Sequence, residues 1–324
     1  MINPYLSVAL CAVFALASQT NASAQDSYPS RPIKLVVGFA PGGSSDTVAR
    51  ILLPRLGQEL KQSVVVDNKP GAGGNIASDM LVKAAPDGYT IMLGTIGSLA
   101  VNQHLAKLAY NPVTDMAALS MAVVFTNVLV VNTNSPIRNF DDYVRQSKAA
   151  GASVAFGSSG IGGSGHLAGE LLNSAAGLNN QHIAYRGGAP AMNDLLGGVL
   201  PSIFSSPTDA LQHIQAGKLR ALATTGPKRL DALPQVPTIA ESGYAGFDAI
   251  NWYAFTAPQR TPPEVVQKLN AAIVAALNDA GVVAQLRKLG LDPAPSSPQE
   301  AAQYIKKESD KWGALVRKVG IKGE

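Results

Sequence analysis

The chain has 324 residues, room for about two domains, with 46% hydrophobic and 15% charged; so apolar a composition excludes broad disorder and supplies a sizeable core. Its 26 Lys and Arg against 22 Asp and Glu leave a formal charge of +4 without a run, which excludes the clustered, aromatic-interleaved cations of a nucleic-acid stripe. The first element is a targeting segment. Leu6 to Ala17 is apolar but too short to span a bilayer, and it ends in the A-x-A pattern Ala22-Ser23-Ala24 before the polar Gln25-Asp26. This reads as a secretory signal peptide, residues 1–24, cut after Ala24, although no Lys or Arg precedes Leu6; the mature protein is expected to be soluble and exported. The single cysteine, Cys11, would leave with it, so a disulfide framework, a Cys-ligated metal and a thiol nucleophile are excluded from the mature chain. Past Ala24 no apolar run reaches the roughly 18 residues of a membrane helix.

From Ile33 onward, strand-like runs alternate with helical spacing. Ile33–Val37, Val64–Val66 and Thr90–Leu93 read as strands, separated by helices over Ser45–Leu60 and Asn75–Ala85. This is the pattern of a parallel sheet with helices on both faces. A β-rich stretch from Met121 to Val131 interrupts the alternation. It restarts with a helix at Phe140–Ala149, a strand at Ser153–Phe156 and a helix at His166–Ala176. Strands at Ile183–Tyr185 and Ser202–Phe204 flank a helix at Ala189–Leu196. A helix at Asp209–Ala216 and a strand at Leu219–Thr224 follow, then a strand at Trp252–Thr256. Helices at Pro263–Leu277, Val282–Lys288 and Pro298–Val319 close the chain. The restart predicts two α/β lobes: one from residues 25–123 and 254–324, the other from 124–253.

Three places share one form, a strand followed by a Gly/Ser/Pro loop and a helix start. They are Val37-Gly38-Phe39-Ala40-Pro41-Gly42-Gly43-Ser44-Ser45-Asp46, Ala155-Phe156-Gly157-Ser158-Ser159-Gly160-Ile161-Gly162-Gly163-Ser164-Gly165-His166, and Ala184-Tyr185-Arg186-Gly187-Gly188-Ala189-Pro190. A helix N-terminus leaves amides unpaired and carries partial positive charge, so it attracts carboxylate or phosphate. Glycine lets a ligand approach the backbone and serine adds a donor without bulk. Such turns also serve as simple punctuation, and Asp46 has an ordinary role as a first-turn acid.

Enzymatic patterns fit less well. Gly160 to Gly165 matches G-x-G-x-x-G, yet the position roughly 20 residues on offers Tyr185-Arg186 in place of the required acid. The G-x-S-x-G elbow fails because His166 stands where its last glycine should be, and no P-loop occurs. None of His104, His166, His182 and His213 has a partner at metal-ligand spacing, so no metal or cofactor is expected. Trp252 and Tyr253 suit either a pocket wall or packing at the crossover between lobes.

The first loop, Val37 to Asp46, resembles the signature of the Bug-type extracytoplasmic solute receptors, the substrate-binding components of tripartite tricarboxylate transporters. Asn68-Lys69-Pro70-Gly71-Ala72-Gly73-Gly74-Asn75, Pro86-Asp87-Gly88-Tyr89-Thr90, Tyr185 to Ala191 and Ala257 to Pro262 resemble the same family, and the likeness runs from about Pro32 to the C-terminus. It implies an α/β, two-lobed periplasmic binding-protein fold (type II-like) with a ligand cleft between the lobes. It also implies a monomer that binds a small organic anion for a membrane transporter, with no chemistry of its own. Gly42, Gly43, Ser44 and Ser45, flanked by Phe39, Ala40 and Asp46, would form one anion cradle. Ser158, Ser159, Gly160, Gly162 and Ser164, beside His166, would form the opposing one. Thr95, Ser98 and Asn102 would line the cleft after the third strand, and Arg186 and Asp209 would face it from the second lobe. Two departures bear on the ligand. The second loop is richer in glycine than the Ser/Thr-rich family form, and Ser205 to Asp209 replaces a stretch where an earlier Asp or Asn is common. An exported α/β hydrolase-like enzyme and a sensing receptor are the alternatives.

Overall fold

The computed structural model describes residues 28–149 and 154–321. The expected signal segment, Cys11 and the cleavage position lie outside that range, as does Ser153. Two sheets organise the chain. The first has the order β11 (Asp292–Pro293), β4 (Met116–Thr126), β10 (Ile250–Pro258), β3 (Thr90–Thr95), β1 (Ile33–Val37), β2 (Val64–Asn68), and the second β7 (His182–Ala184), β6 (Phe156–Ser158), β8 (Ser202–Ser205), β5 (Val128–Asn132), β9 (Leu219–Thr224). In the first, β1 (Ile33–Val37), β2 (Val64–Asn68) and β3 (Thr90–Thr95) run parallel, joined through α1 (Ser44–Leu60) and α2 (Asn75–Val82). Val48, Leu52, Leu56 and Leu60 recur at helical spacing on α1, and that stripe lies in one core cluster with Leu35, Val37 and Leu93 of the sheet.

After β3 come a π-helical turn, Gly97–Val101, and the short α3 (Asn102–Leu105). β4 (Met116–Thr126) belongs to the first sheet and β5 (Val128–Asn132) to the second, so the chain passes between them at Asn127. The second sheet is completed by β6 (Phe156–Ser158), β7 (His182–Ala184), β8 (Ser202–Ser205) and β9 (Leu219–Thr224), with helices α4 (Phe140–Lys148), α5 (Ser164–Ala176), α6 (Gly188–Leu196) and α7 (Pro207–Gln215) between them. β10 (Ile250–Pro258) returns to the first sheet. It is followed by α8 (Pro263–Asn278), α9 (Ala280–Lys288), the two-residue β11 (Asp292–Pro293) and α10 (Pro298–Val319). Among the described residues no single helix is long and apolar enough to cross a membrane.

The sheets are mixed, not purely parallel as the alternation suggests. β10 runs antiparallel to β3 and β4, and β5 antiparallel to β8 and β9. The cause is connectivity: a strand that re-enters a sheet from another lobe is not the product of a βαβ crossover. Trp252 on β10 is fully buried, and its indole donates to Glu308 Oε2 at 3.1 Å, while Trp312 donates to the same oxygen at 2.9 Å. That buried carboxylate ties α10 to β10.

Candidate ligand-binding site

Ligands of open α/β sheets bind beyond the carboxyl ends of the strands. At those ends lies a cleft of about 810 Å³, its open mouth included. Its walls come from both lobes. Phe39, Ala40, Gly43, Ser44, Ser45 and Thr95 line it from one side, and Ser159, Ser164, Arg186 and Asp209 from the other. Four helices, α1, α5, α6 and α7, start at it, and none has a side-chain N-cap. Of the helices that start elsewhere, α4, α9 and α10 are capped by Asn139, Asp279 and Ser297, while α2, α3 and α8 are uncapped. A cap satisfies first-turn amides that otherwise need water or a ligand.

The remaining residues singled out in the sequence stand behind the lining. Asp46 is buried; it accepts the Gly42 amide (2.9 Å), Arg50 Nε (2.8 Å) and Asn68 Nδ2 (3.0 Å), while Asn68 also donates to Phe39 O at 2.9 Å. Burial raises the Asp46 carboxyl, but these bonds outweigh it and hold the group below its ordinary value. The Asp46–Asn68 pair therefore fixes the first loop, whose Gly42 has a φ of +83° that L side chains resist. Ser98 Oγ donates to Thr95 O at 3.2 Å. Asn102 Nδ2 donates to Gly73 O and to Asn75 Oδ1, at 3.2 and 2.7 Å.

Beneath the second loop, His166 and His182 stack with ring centroids 3.9 Å apart. Gly162 N donates to His166 Nδ1 at 3.1 Å. Burial pushes His166 down to about 4, and burial together with the neighbouring imidazole pushes His182 down to about 3, so both are neutral near pH 7. Ser158 Oγ lies 2.7 Å from His182 Nε2, as a nucleophile and base would. Ser158 is fully buried and lies off the cleft, however, and so acidic an imidazole is a poor general base. The hydroxyl also bonds Gly160 O (3.0 Å) and accepts Gly160 N (3.2 Å), so it braces the loop.

Among the described residues the lobes touch at several places, of which two bear on the cleft. Ser44 Oγ and Ser206 Oγ are 3.1 Å apart, and the chain of hydroxyls continues to Thr208 Oγ1 at 2.7 Å and on to Asp209 Oδ1 at 3.5 Å. On another flank, glycine backbones meet: a Cβ at Gly97 would stand 3.1 Å from Gly162 O, and one at Gly73 would stand 3.1 Å from Ile161 O. Burial pushes Asp209 up to about 6 against the Thr208 bond that lowers it. Burial, with the Asp209 charge, raises the Tyr253 phenol.

Asn127, Ser205, Ser206, Asn251, Tyr253 and Gly188 also line the cleft without having been singled out as ligand contacts. Gly188 lies in the third loop and Ser205-Ser206 in the stretch that departs from the family; Asn127 and Asn251 sit at strand ends. An amide in an otherwise apolar run, as in Phe125-Thr126-Asn127-Val128, is the signal that would have found the first of them. The open alternative for the aromatic pair divides: Trp252 packs in the core and Tyr253 forms cleft wall. Among the described residues no His, Cys, Asp and Glu side chains gather as a metal site.

The family model for the tripartite tricarboxylate transporter family receptor matches residues 48–321. Protein BugT of Bordetella pertussis is 38% identical over 299 residues, 92% of each chain. The structure of the periplasmic binding protein BugD superposes with a TM-score of 0.86 at 35% identity, covering 92% of this chain and all of that one. The R. palustris protein Rpa4515, solved with adipate, gives a TM-score of 0.87 at 32% identity over 90% of this chain and 98% of that one. With the family's model matched across nearly the whole described fold, and relatives aligned over 92% of this chain, this chain belongs to the tripartite tricarboxylate transporter family of receptors, solute-binding proteins of the Bug type.

Proposed function

We propose that the protein is a periplasmic receptor that captures a small organic carboxylate between its lobes for uptake by a tripartite tricarboxylate-type transporter, and performs no chemistry on it. The convergence of four uncapped helix N-termini on one cleft carries this reading. Their first-turn amides, with the hydroxyls of Ser45 and Ser159, and that of Ser44 while Asp209 is protonated, form a neutral donor set that suits a carboxylate; the Ser164 proton goes to Asn127 Oδ1. Exposed Arg186 adds the one guanidinium among the described residues that line the cleft. The adipate with which the relative Rpa4515 was solved supports the same ligand class. Sheet membership supports two lobes made largely of residues 25–123 with 254–324 and of 124–253, with the passages at Asn127 and ahead of Ile250, so that residues 124–126 and 250–253 go with the first sheet. In this reading Asp46, Ser98, Asn102, Ser158 and His166 hold the cradles in shape from behind. The two cradles suit the two ends of a dicarboxylate.

Calorimetric titration with adipate, succinate and benzoate tests it. At least one binds, and converting one carboxylate of a bound diacid to an uncharged ester weakens binding about tenfold or more, the loss of at least 1.4 kcal/mol. Absence of binding across aliphatic and aromatic acids would favour a sensor of other ligands. Protein recovered from the periplasm of its host is expected to begin at Gln25; an intact Met1 on soluble protein would contradict export.

A further inference from the structure

The β-run that carries the chain from one sheet to the other is broken by a single residue, Asn127, between Thr126 of β4 and Val128 of β5. Its backbone is held firmly. The amide donates to Thr225 Oγ1 at 3.0 Å, and the carbonyl accepts Thr225 N at 3.0 Å and Thr126 Oγ1 at 3.2 Å. Its carboxamide oxygen accepts the Ser164 hydroxyl at 3.4 Å. The other half of the carboxamide, Nδ2, has no partner, and the residue is 1% exposed. Among the described residues, the other buried side-chain atoms without a partner are on Arg55, Ser147, Thr224, Asp248 and Thr256, and none of these lines the cleft; Asn127 does. Three of those five atoms are hydroxyls, which rotate toward a weak partner, whereas an NH₂ group has two fixed donors and no such freedom. A buried amide donor left unmade is costly, and evolution rarely keeps one without use.

We infer that Asn127 Nδ2 donates to a carboxylate oxygen of the bound ligand, so that the residue joining the two lobes is itself a ligand contact. The inference rests on the carboxylate reading of the cleft. The chemistry is one-sided: an NH₂ group needs an acceptor, and among small-ligand groups a carboxylate oxygen is a strong one. The position gives the contact a second effect. β4 leads into Asn127 from one lobe and β5 leads out into the other, while Ser164 holds the carboxamide from the α5 end of the second lobe. A ligand bonded here is anchored at the pivot of closure and remains in register with both cradles as they approach.

Three proteins and three probes decide it: wild type, Asn127→Leu and Asn127→Asp, titrated calorimetrically with adipate, succinate and benzoate. Leu keeps the approximate size without a donor; Asp keeps the shape and places a charge against the anion. For whichever acid wild type binds, Asn127→Leu is expected to bind about ten- to a hundredfold more weakly and Asn127→Asp more weakly still. The ligand-free melting temperature of Asn127→Leu should equal or exceed that of wild type, because an unsatisfied donor has gone. In ¹⁵N–¹H spectra of wild type, the side-chain NH₂ pair that is missing from both variants should move on titration with the acid. Undiminished affinity in both variants, or an NH₂ pair that stays in place at saturation, overturns the inference while leaving the carboxylate reading intact. A lower ligand-free melting temperature with unchanged affinity would show a purely structural asparagine and overturn it too. Failure of wild type to bind any of the three acids removes the carboxylate reading and this inference with it.

Discussion

Asp209 stands at the third position of α7, where an acid complements the helix dipole, yet it also lines a cleft built for an anion. The hydroxyl chain from Ser44 through Ser206 and Thr208 ends on its carboxyl. While Asp209 is ionised it accepts, so the hydroxyl protons along that chain point toward it and Ser44 has none to spare for a ligand. Once protonated, it releases the chain. Its folded-state pKa, raised from 3.8 to about 6, means that it favours folding below the lower value and loses that contribution as pH rises through the upper one. Asp209→Asn is therefore expected to stabilise the fold at pH 7.5, by no more than about 3 kcal/mol in urea unfolding, and to change it little at pH 4. Adipate affinity should rise for wild type between pH 7.5 and 5.5 and stay flatter in Asp209→Asn; calorimetry at both pH values checks this, and the opposite slope would exclude charge repulsion by Asp209.

Among the elements, α10 depends on one buried acid. Glu308→Ala leaves the indoles of Trp252 and Trp312 without their acceptor and opens a void between α10 and β10, and it should cost about 2–5 kcal/mol in urea unfolding. Glu308→Gln keeps an acceptor oxygen and should cost less. A loss no larger for Ala than for Gln would mean that the indoles find other partners. The helices and strands themselves were largely legible, because each carries its own period: Ser45–Leu60, Phe140–Ala149 and Pro298–Val319 fall within a residue of α1, α4 and α10. The π-turn at Gly97–Val101 and the two-residue β11 carry no period, and tertiary packing alone creates them. The antiparallel entry of β10 was equally hidden, since pairing partners far apart in sequence leave no local trace. The site divides in the same way. Loops announced themselves through glycine and serine, whereas Asn127 and Asn251 lie in or beside strands and draw no notice, and Tyr253 stays open between pocket wall and packing until the other lobe is brought against it.

At the scale of the whole molecule, the seam between Gly97 and Gly162, and between Gly73 and Ile161, brings the lobes together backbone to backbone. The side chains that stand in the seam are Asn102, already held by Gly73 O and Asn75 Oδ1, and Leu105, so closure there orders few rotamers and consumes little binding energy. Gly97→Val should hold the lobes apart and lower the closed fraction. Every ligand would then lose affinity by a common factor, unlike the changes at Asn127 and Asp209, which act on the ligand's own chemistry. Calorimetry with two different acids should show both dissociation constants rising while their ratio is kept, and small-angle scattering at saturation should show a larger radius of gyration. A changed ratio would mean that Gly97 acts on the ligand directly. In the proposed reading the glycine-lined seam would also make the protein a gauge of length. Two peptide backbones in contact cannot be compressed further, so every ligand short enough to fit produces one and the same outer surface, while a longer one holds the seam ajar and alters it. A docking partner that recognises only the sealed outline would thereby reject oversized cargo without touching the cleft.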